Sequence, residues 1–257
     1  MIELIIWPFI ACLALVFIHG YFGAFVLRRG IIFIDLALAQ WAALGYLVGH
    51  WMGVESPIAL FLCGFGLTLV ASLILVGLKP FYEKVNQQEA SIGVVYILAT
   101  TLATALISTT GLDGHHLKEM LSGHLLFVQP TEVLSAMVLY ATIAVILFKI
   151  QGAVLSNSSR WSDIAFYALF GLVVTSSVKM VGILLVFSFL VIPLLTVRLS
   201  FTDVKQQVVS AWVVGIGGAS AGIALAIPLD IPLSLSIILV YMLLFFGNVI
   251  RCYYLDH

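Results

Sequence analysis

The sequence predicts an all-α polytopic membrane protein with about nine transmembrane helices. The chain has 257 residues, of which 63% are hydrophobic and only 9% are charged. A soluble domain of that length could not cover its surface with so few charges, so the bilayer must be its solvent. Long apolar runs follow one another along the whole chain, and nearly all basic residues fall on one side of them.

The spans are predicted from apolar runs of sufficient length. A spanning helix needs about 20 mostly apolar residues, because each residue rises about 1.5 Å across a core about 30 Å thick. Candidate segments are 2–27, 31–53, 57–78, 91–110, 132–149, 163–178, 181–199, 207–227 and 232–250. Little chain remains between them, so residues 1–257 are predicted to form a single transmembrane domain. The first segment has no basic residues before it and no small-residue cleavage site, which favours a retained span over a signal peptide.

The basic residues predict the orientation of these spans. Nine of the eleven share one side if the first span runs from outside to inside: Arg28, Arg29, Lys79, Lys84, Lys149, Arg160, Arg198, Lys205 and Arg251. Only Lys118 and Lys179 fall on the other side. This asymmetry predicts an external N-terminus, a cytoplasmic C-terminus and an odd number of spans. The net charge of −1 gives no indication of a nucleic-acid partner.

Polar side chains inside spans are costly and therefore candidates for function. Asp35 and Gln40 lie in the second span, His19 lies in the first, and His50 lies near the outer end of the second. These four are candidates for a translocation pathway. A purely structural role stays open for three of them. Asp35 would pair with Arg28 or Arg29, Gln40 would bond to a neighbouring helix, and His19 would be a satisfied buried histidine.

An outer element, 112–130, is too short and too polar to span, and is predicted to lie at the outer interface or to dip into the bundle. Imidazole and carboxylate together suit zinc, manganese or iron, which makes this element a candidate metal site. Its candidate ligands are His115, His116, Glu119 and His124. The alternative is a solvated polar loop, because the stretch has no established ligand spacing.

Three further features concern partners and packing. The cytoplasmic loop 150–163 is predicted to be either a plain connector or a docking site for an ATPase. The docking role would suit a chain that has no phosphate-binding loop and cannot hydrolyse ATP itself. Gly218 and Gly222 have the small-xxx-small spacing of close helix contacts. Pro193 is expected to kink the seventh span, because proline lacks a backbone donor.

Several stretches resemble a known family. Residues 26–45 read VLRRGIIFIDLALAQWAALG and resemble the RR…FIGDALSHAVLPG segment of the ABC-3 permeases of zinc, manganese and iron importers. Residues 119–128 (EMLSGHLLFV), 178–199 (VKMVGILLVFSFLVIPLLTVRL) and 227–239 (IPLDIPLSLSIIL) resemble later motifs of the same family. Their order and spacing agree across the whole chain.

The resemblance implies a vitamin-B12-importer-like (type II) permease in the bacterial plasma (inner) membrane. It implies a homodimer with one central pathway, two cytoplasmic ATPase subunits that hold the ATP, and an extracytoplasmic metal-binding protein. No permanently bound cofactor is expected, since the metal is cargo. The segment containing Arg160, Trp161 and Asp163 resembles the region that contacts the ATPase.

One departure concerns the cargo. The family's GDALSH offers an aspartate and a histidine on one helix face, and the corresponding residues here are Leu36 and Gln40. Asp35 is shifted by one position, which rotates it by about 100° on a helix. The sequence therefore predicts uptake of a divalent metal and keeps a metal chelate or another small solute as an alternative. An ion-coupled secondary transporter is less favoured because no inverted repeat is visible. A membrane-embedded metalloenzyme is also disfavoured, because no HExxH motif lies in a span.

Overall fold

The computed structural model of the chain describes residues 2–85, 87–111, 123–156, 160–198 and 200–255. Within these ranges it contains nine α-helices and one short 3-10 helix. The helices are α1 (Ile2–Arg29), α2 (Ile34–Trp51), α3 (Pro57–Val85), α4 (Gln88–Thr110), α5 (Pro130–Ser156), α6 (Arg160–Val181), α7 (Ile183–Arg198), α8 (Val204–Leu229) and α9 (Leu233–Leu255). The 3-10 helix, Leu125–Phe127, precedes α5.

The predicted all-helical fold and the helix count are confirmed. Seven of the helices are long and apolar enough to cross a membrane by length and composition. The other two are α7, which has only 16 residues, and α2, whose polar side chains at Asp35, Gln40 and His50 lower its hydropathy. The side of the membrane on which each helix ends stays a prediction.

Several helices extend beyond the predicted spans, because hydropathy follows the thickness of the bilayer and not the end of backbone hydrogen bonding. The third span was expected to end at 78, but α3 continues to Val85. The predicted loop 150–163 is wrong for most of its length. Helix α5 continues to Ser156 and α6 begins at Arg160, so only 157–159 separate the two helices, and these lie outside the described residues.

The chain divides into two compact units. The first unit comprises Met1–Phe25, Ser122–Val138 and Met180–His257. Within it, α8 packs closely on α9 through the predicted glycines. A side chain at Gly222 would come 2.5 Å from Ile237 Cα, and one at Gly218 would collide with the ring of Tyr241. The hydroxyl of Ser236 donates to the Gly222 carbonyl at 2.7 Å. Glycine thus permits a backbone approach that lipid alone would not drive.

The second unit comprises Val26–Leu121 and Leu139–Lys179. Here α2 packs against α3 and α4. A side chain at Gly45 of α2 would collide with the α3 backbone at Cys63 and Gly64, so these helices are also in close contact. The indole of Trp41 donates to the Val95 carbonyl of α4 at 3.0 Å. These contacts leave α2 almost wholly buried and fix the positions of its polar side chains.

Candidate functional site

The most unusual polar groups lie on α2. The carboxylate of Asp35 is fully buried, and neither of its oxygens has a hydrogen-bond partner among the described residues. The side chain of Gln40 is 4% exposed, and its Oε1 also has no partner in the described part of the chain. Burying such groups unpaired costs several kcal/mol, so their presence in a span points to a functional role.

The turn between α1 and α2 positions Asp35. Helix α1 ends at Arg29, and Gly30 follows it with φ +64. The amides of Gly30 and Ile31 donate to the Leu27 and Val26 carbonyls. This is a Schellman motif, in which glycine adopts the left-handed conformation and satisfies the last carbonyls. Asp35 then falls in the first turn of α2, where the positive end of the helix dipole favours a carboxylate.

A second carboxylate binds the backbone of the turn between α1 and α2. Glu89, in the first turn of α4, accepts hydrogen bonds from the Ile32 amide at 2.5 Å and from the Phe33 amide at 3.5 Å. These amides precede α2 and would otherwise lack acceptors. Glu89 therefore ties the start of α2 to the start of α4, a role that sequence reasoning missed.

The alternative partner predicted for Asp35 is not used. Arg29 pairs with Asp163 instead, at 3.0 Å, and Arg28 is exposed. Leu36 is half-buried, whereas its neighbour Asp35 is fully buried. One step along a helix turns the side chain by about 100°, so the shift from the family's position moves the carboxylate from the accessible face to the interior.

The two histidines of the predicted pathway differ in their surroundings. His19 of α1 is buried, and its Nδ1 donates to the Leu15 carbonyl at 3.0 Å. Its Nε2 has no partner among the described residues. Because a carbonyl can only accept, Nδ1 carries a proton, and in the neutral ring Nε2 is then a lone-pair acceptor able to bind a metal. His50, in the last turn of α2, is exposed.

The candidate outer metal site lies mostly outside the described residues. His115, His116 and Glu119 fall within 112–122, which the structure does not describe. His124 is described and is exposed at the start of the 3-10 helix. Among the described residues no group of three or more His, Cys, Asp or Glu side chains is arranged to hold a metal. The outer metal site therefore stays a prediction.

The three residues expected near the ATPase lie in the first turn of α6, where they point in different directions. Arg160 and Trp161 are exposed, Trp161 by 79%. Asp163 is only 2% exposed and its carboxylate is paired with Arg29 and Lys79. Two of the three are thus available to a partner surface, while the third faces the interior of its own unit.

Comparison with known proteins identifies the chain. Residues 1–252 match the ABC 3 transport family. The chain therefore belongs to the ABC 3 transport family. This confirms the resemblance seen in the sequence and makes the chain a permease subunit, which has no ATPase activity of its own. No curated protein is similar enough in sequence to count as a match.

Two solved structures are similar to this ABC 3 permease. The first is PsaBC from Streptococcus pneumoniae in complex with Fab, at 19% identity and a TM-score of 0.76, covering 95% of this chain and 90% of that chain. The second was assigned as a metal-chelate type ABC transporter in an inward-facing conformation. It is 18% identical with a TM-score of 0.68, and covers 96% of this chain and 85% of that chain. These likenesses confirm the predicted type II importer fold.

Proposed function

We propose that this ABC 3 permease moves a divalent transition metal, namely zinc, manganese or iron, into the bacterial cytoplasm by alternating access. The observation that carries the proposal is the family match over residues 1–252. The Asp35 carboxylate and the His19 Nε2, which have no hydrogen-bond partner among the described residues, support it, because oxygen and imidazole nitrogen are ligands for such ions. The same family match disfavours the ion-coupled alternative.

The proposed assembly contains two copies of this chain, two cytoplasmic ATPase subunits and an extracytoplasmic metal-binding protein, in the bacterial plasma membrane. Trp161 and Arg160 support an ATPase-facing surface at the start of α6, because exposed tryptophan and arginine are the residue types that most often anchor protein interfaces. On the outer side, His115, His116, Glu119 and His124 are proposed to receive the metal from the binding protein.

The proposed pathway uses Asp35, Gln40, His19 and His50. Three of these side chains are buried in this structure, so they would meet the cargo only after the helices rearrange. A buried polar group without a partner suits this use, since it can bind an ion transiently without first breaking another bond. Binding must stay weak, or the ion would not leave.

A chelated metal is the second candidate cargo. Leu36 and Gln40 stand where the family has its aspartate and histidine, and an amide is a poor ligand for a free zinc ion. One of the similar structures is that of a metal-chelate type ABC transporter, which is in line with this alternative. A chelate keeps its own ligands and needs fewer from the protein.

The test is uptake into liposomes that contain this chain with its ATPase subunits and binding protein. Free Zn²⁺, Mn²⁺ and Fe²⁺ are each supplied, with ATP and with a non-hydrolysable analogue as the control. Saturable, ATP-dependent uptake of one free ion supports the metal proposal. ATP hydrolysis without uptake of any free ion favours the chelate. Uptake that follows an ion gradient without ATP contradicts both.

The outer site has its own test. Substitution of His115, His116 and His124 by alanine together is expected to reduce uptake of the imported ion at low concentration, because the entry ligands are lost. Glu55→Gln is the control, since Glu55 lies between α2 and α3, in a connection that the orientation of the spans predicts to be on the same outer side. Unchanged uptake by the triple variant would remove the outer element from the pathway.

A further inference from the structure

A buried cluster of charged side chains joins the start of α6 to α1 and α3. Asp163 accepts from Arg29 at 3.0 Å and from the Lys79 Nζ at 2.5 Å. The side chains are 2%, 10% and 13% exposed, respectively. One carboxylate thus pairs with two cations, from the end of α1 and from α3, and the three side chains together carry a net charge of +1. An isolated surface ion pair contributes little to the free energy of unfolding. Removal of one partner from a buried pair is strongly destabilising, because the other charge stays buried without a counter-ion.

Arg29 extends this cluster further. Its guanidinium also donates to the Val154 carbonyl near the end of α5 and lies over the ring of Phe166, 4.7 Å from the centroid. A planar guanidinium can make these contacts at once, which a lysine ammonium cannot. Within the second unit, the ends of α1 and α5, the start of α6 and α3 are therefore held at one point.

The cluster is continuous with the turn that positions Asp35. Arg29 is the last residue of α1, the Schellman motif at Gly30 follows it, and Asp35 lies in the first turn of α2. Glu89 fixes the amides of this turn from α4. A displacement of Asp163 would therefore act on the turn through the Arg29 side chain, and the turn carries Asp35.

We infer that Asp163 is a positioning residue that transmits movement of the ATPase-facing start of α6 to the α1–α2 turn and its buried carboxylate. The inference rests on the proposed function, because it takes Trp161 and Arg160 as the surface that the ATPase moves. Asp163 lies in the same helical turn as these residues, on the inner side. The first turn of α6 thus presents Arg160 and Trp161 on its exposed face and the ion pairs of Asp163 on its buried face.

The test measures ATP-linked accessibility and needs no cargo. In a chain whose three native cysteines are replaced, Leu36→Cys places a thiol next to Asp35 on the half-buried face of α2. Modification by a soluble thiol reagent is followed in the complete complex with and without ATP. ATP is expected to change the modification rate about tenfold, which lies in the usual range of coupling between two sites. Asp163→Asn is expected to abolish most of this change.

Three comparisons sharpen the test. Asp163→Glu retains the charge and is expected to restore part of the ATP-linked change. Asp203→Asn removes another predicted cytoplasmic carboxylate, one that caps α8 by accepting from the Gln206 amide at 3.1 Å, and is expected to leave the change intact. If Asp163→Asn does not fold, Arg29→Lys replaces it, because lysine keeps the charge but cannot make all the Arg29 contacts.

The outcomes separate the inference from the proposed function. An ATP-linked change that persists in folded Asp163→Asn overturns the inference, even if the parent complex imports metal. Loss of ATPase copurification in Asp163→Asn also overturns it, because Asp163 would then belong to the docking surface. An ATP-linked change that depends on Asp163, in a complex that imports none of Zn²⁺, Mn²⁺ and Fe²⁺, supports the inference and rejects the free-metal cargo.

Discussion

The close contact between α8 and α9 in the first unit makes a strong prediction for Gly222→Ala. The added methyl would lie 2.5 Å from Ile237 Cα, 2.7 Å from its Cγ1 and 2.9 Å from its backbone nitrogen. Two of these atoms belong to the backbone of α9, so rotation of a side chain cannot relieve the clash. Overpacking of this kind costs about 1–3 kcal/mol. Separating the helices would also weaken the Ser236 hydrogen bond to the Gly222 carbonyl, worth about 0.5–1.5 kcal/mol.

Alanine has an opposing effect, because it is a better helix former than glycine by about 1 kcal/mol. The net expected destabilisation is about 1–3 kcal/mol, which corresponds to a fall of several degrees in Tm. Gly217→Ala in the same helix is the matched control, since nothing lies within 4 Å of its added methyl. It should gain the helix-propensity effect without the clash. The assay is thermal denaturation of the purified chain in detergent, followed by loss of the monodisperse peak in size-exclusion chromatography. A Gly222→Ala chain at least as stable as Gly217→Ala would refute the reasoning.

Other variants test individual contacts. Glu89→Ala is expected to lower the free energy of unfolding by about 1–3 kcal/mol, because the Ile32 and Phe33 amides lose their acceptor. In the same denaturation assay, a Tm equal to that of the parent chain would contradict this role. Trp161→Ala should weaken ATPase binding by about 2 kcal/mol or more if it is an interface anchor, measured by copurification with Trp51→Ala as control; equal recovery of the ATPase would show otherwise. Restoring the family residues with Leu36→Asp and Gln40→His should raise uptake of free Zn²⁺ in liposomes, and an unchanged rate would argue that this face does not meet the ion.

The sequence predicted the helices well because their apolar runs report burial in lipid directly. The contact of Gly222 with α9 was also predictable, since small residues spaced four apart mark close packing. The positions of helix ends were not, because polar residues such as Lys149 and Gln151 can remain helical at and beyond the end of a predicted span. A loop was therefore predicted where α5 continues.

The ion cluster could not have been derived from the sequence. Asp163 and Arg29 are 134 residues apart, and no local pattern links them. The sequence offered Arg29 a nearer carboxylate at Asp35, and tertiary packing determined that the more distant one is used. One signal for a buried ion pair was available in the sequence. Asp163 lies in the first turn of a helix, where a carboxylate is favoured, and a carboxylate that becomes buried there needs a cation as partner.

The pairing of Asp163 also has a consequence for biogenesis. Arg29 and Lys79 are synthesised 134 and 84 residues before their common counter-ion. While the first three spans are being inserted, Asp163 has not yet been synthesised, so both cations can act as topogenic signals for the predicted cytoplasmic side. They become a structural element only when α6 leaves the ribosome. The same two charges thus act first on the insertion machinery and later in the folded subunit. A nascent chain that ends before α6 can orient its spans but cannot yet form the ion pairs with Asp163.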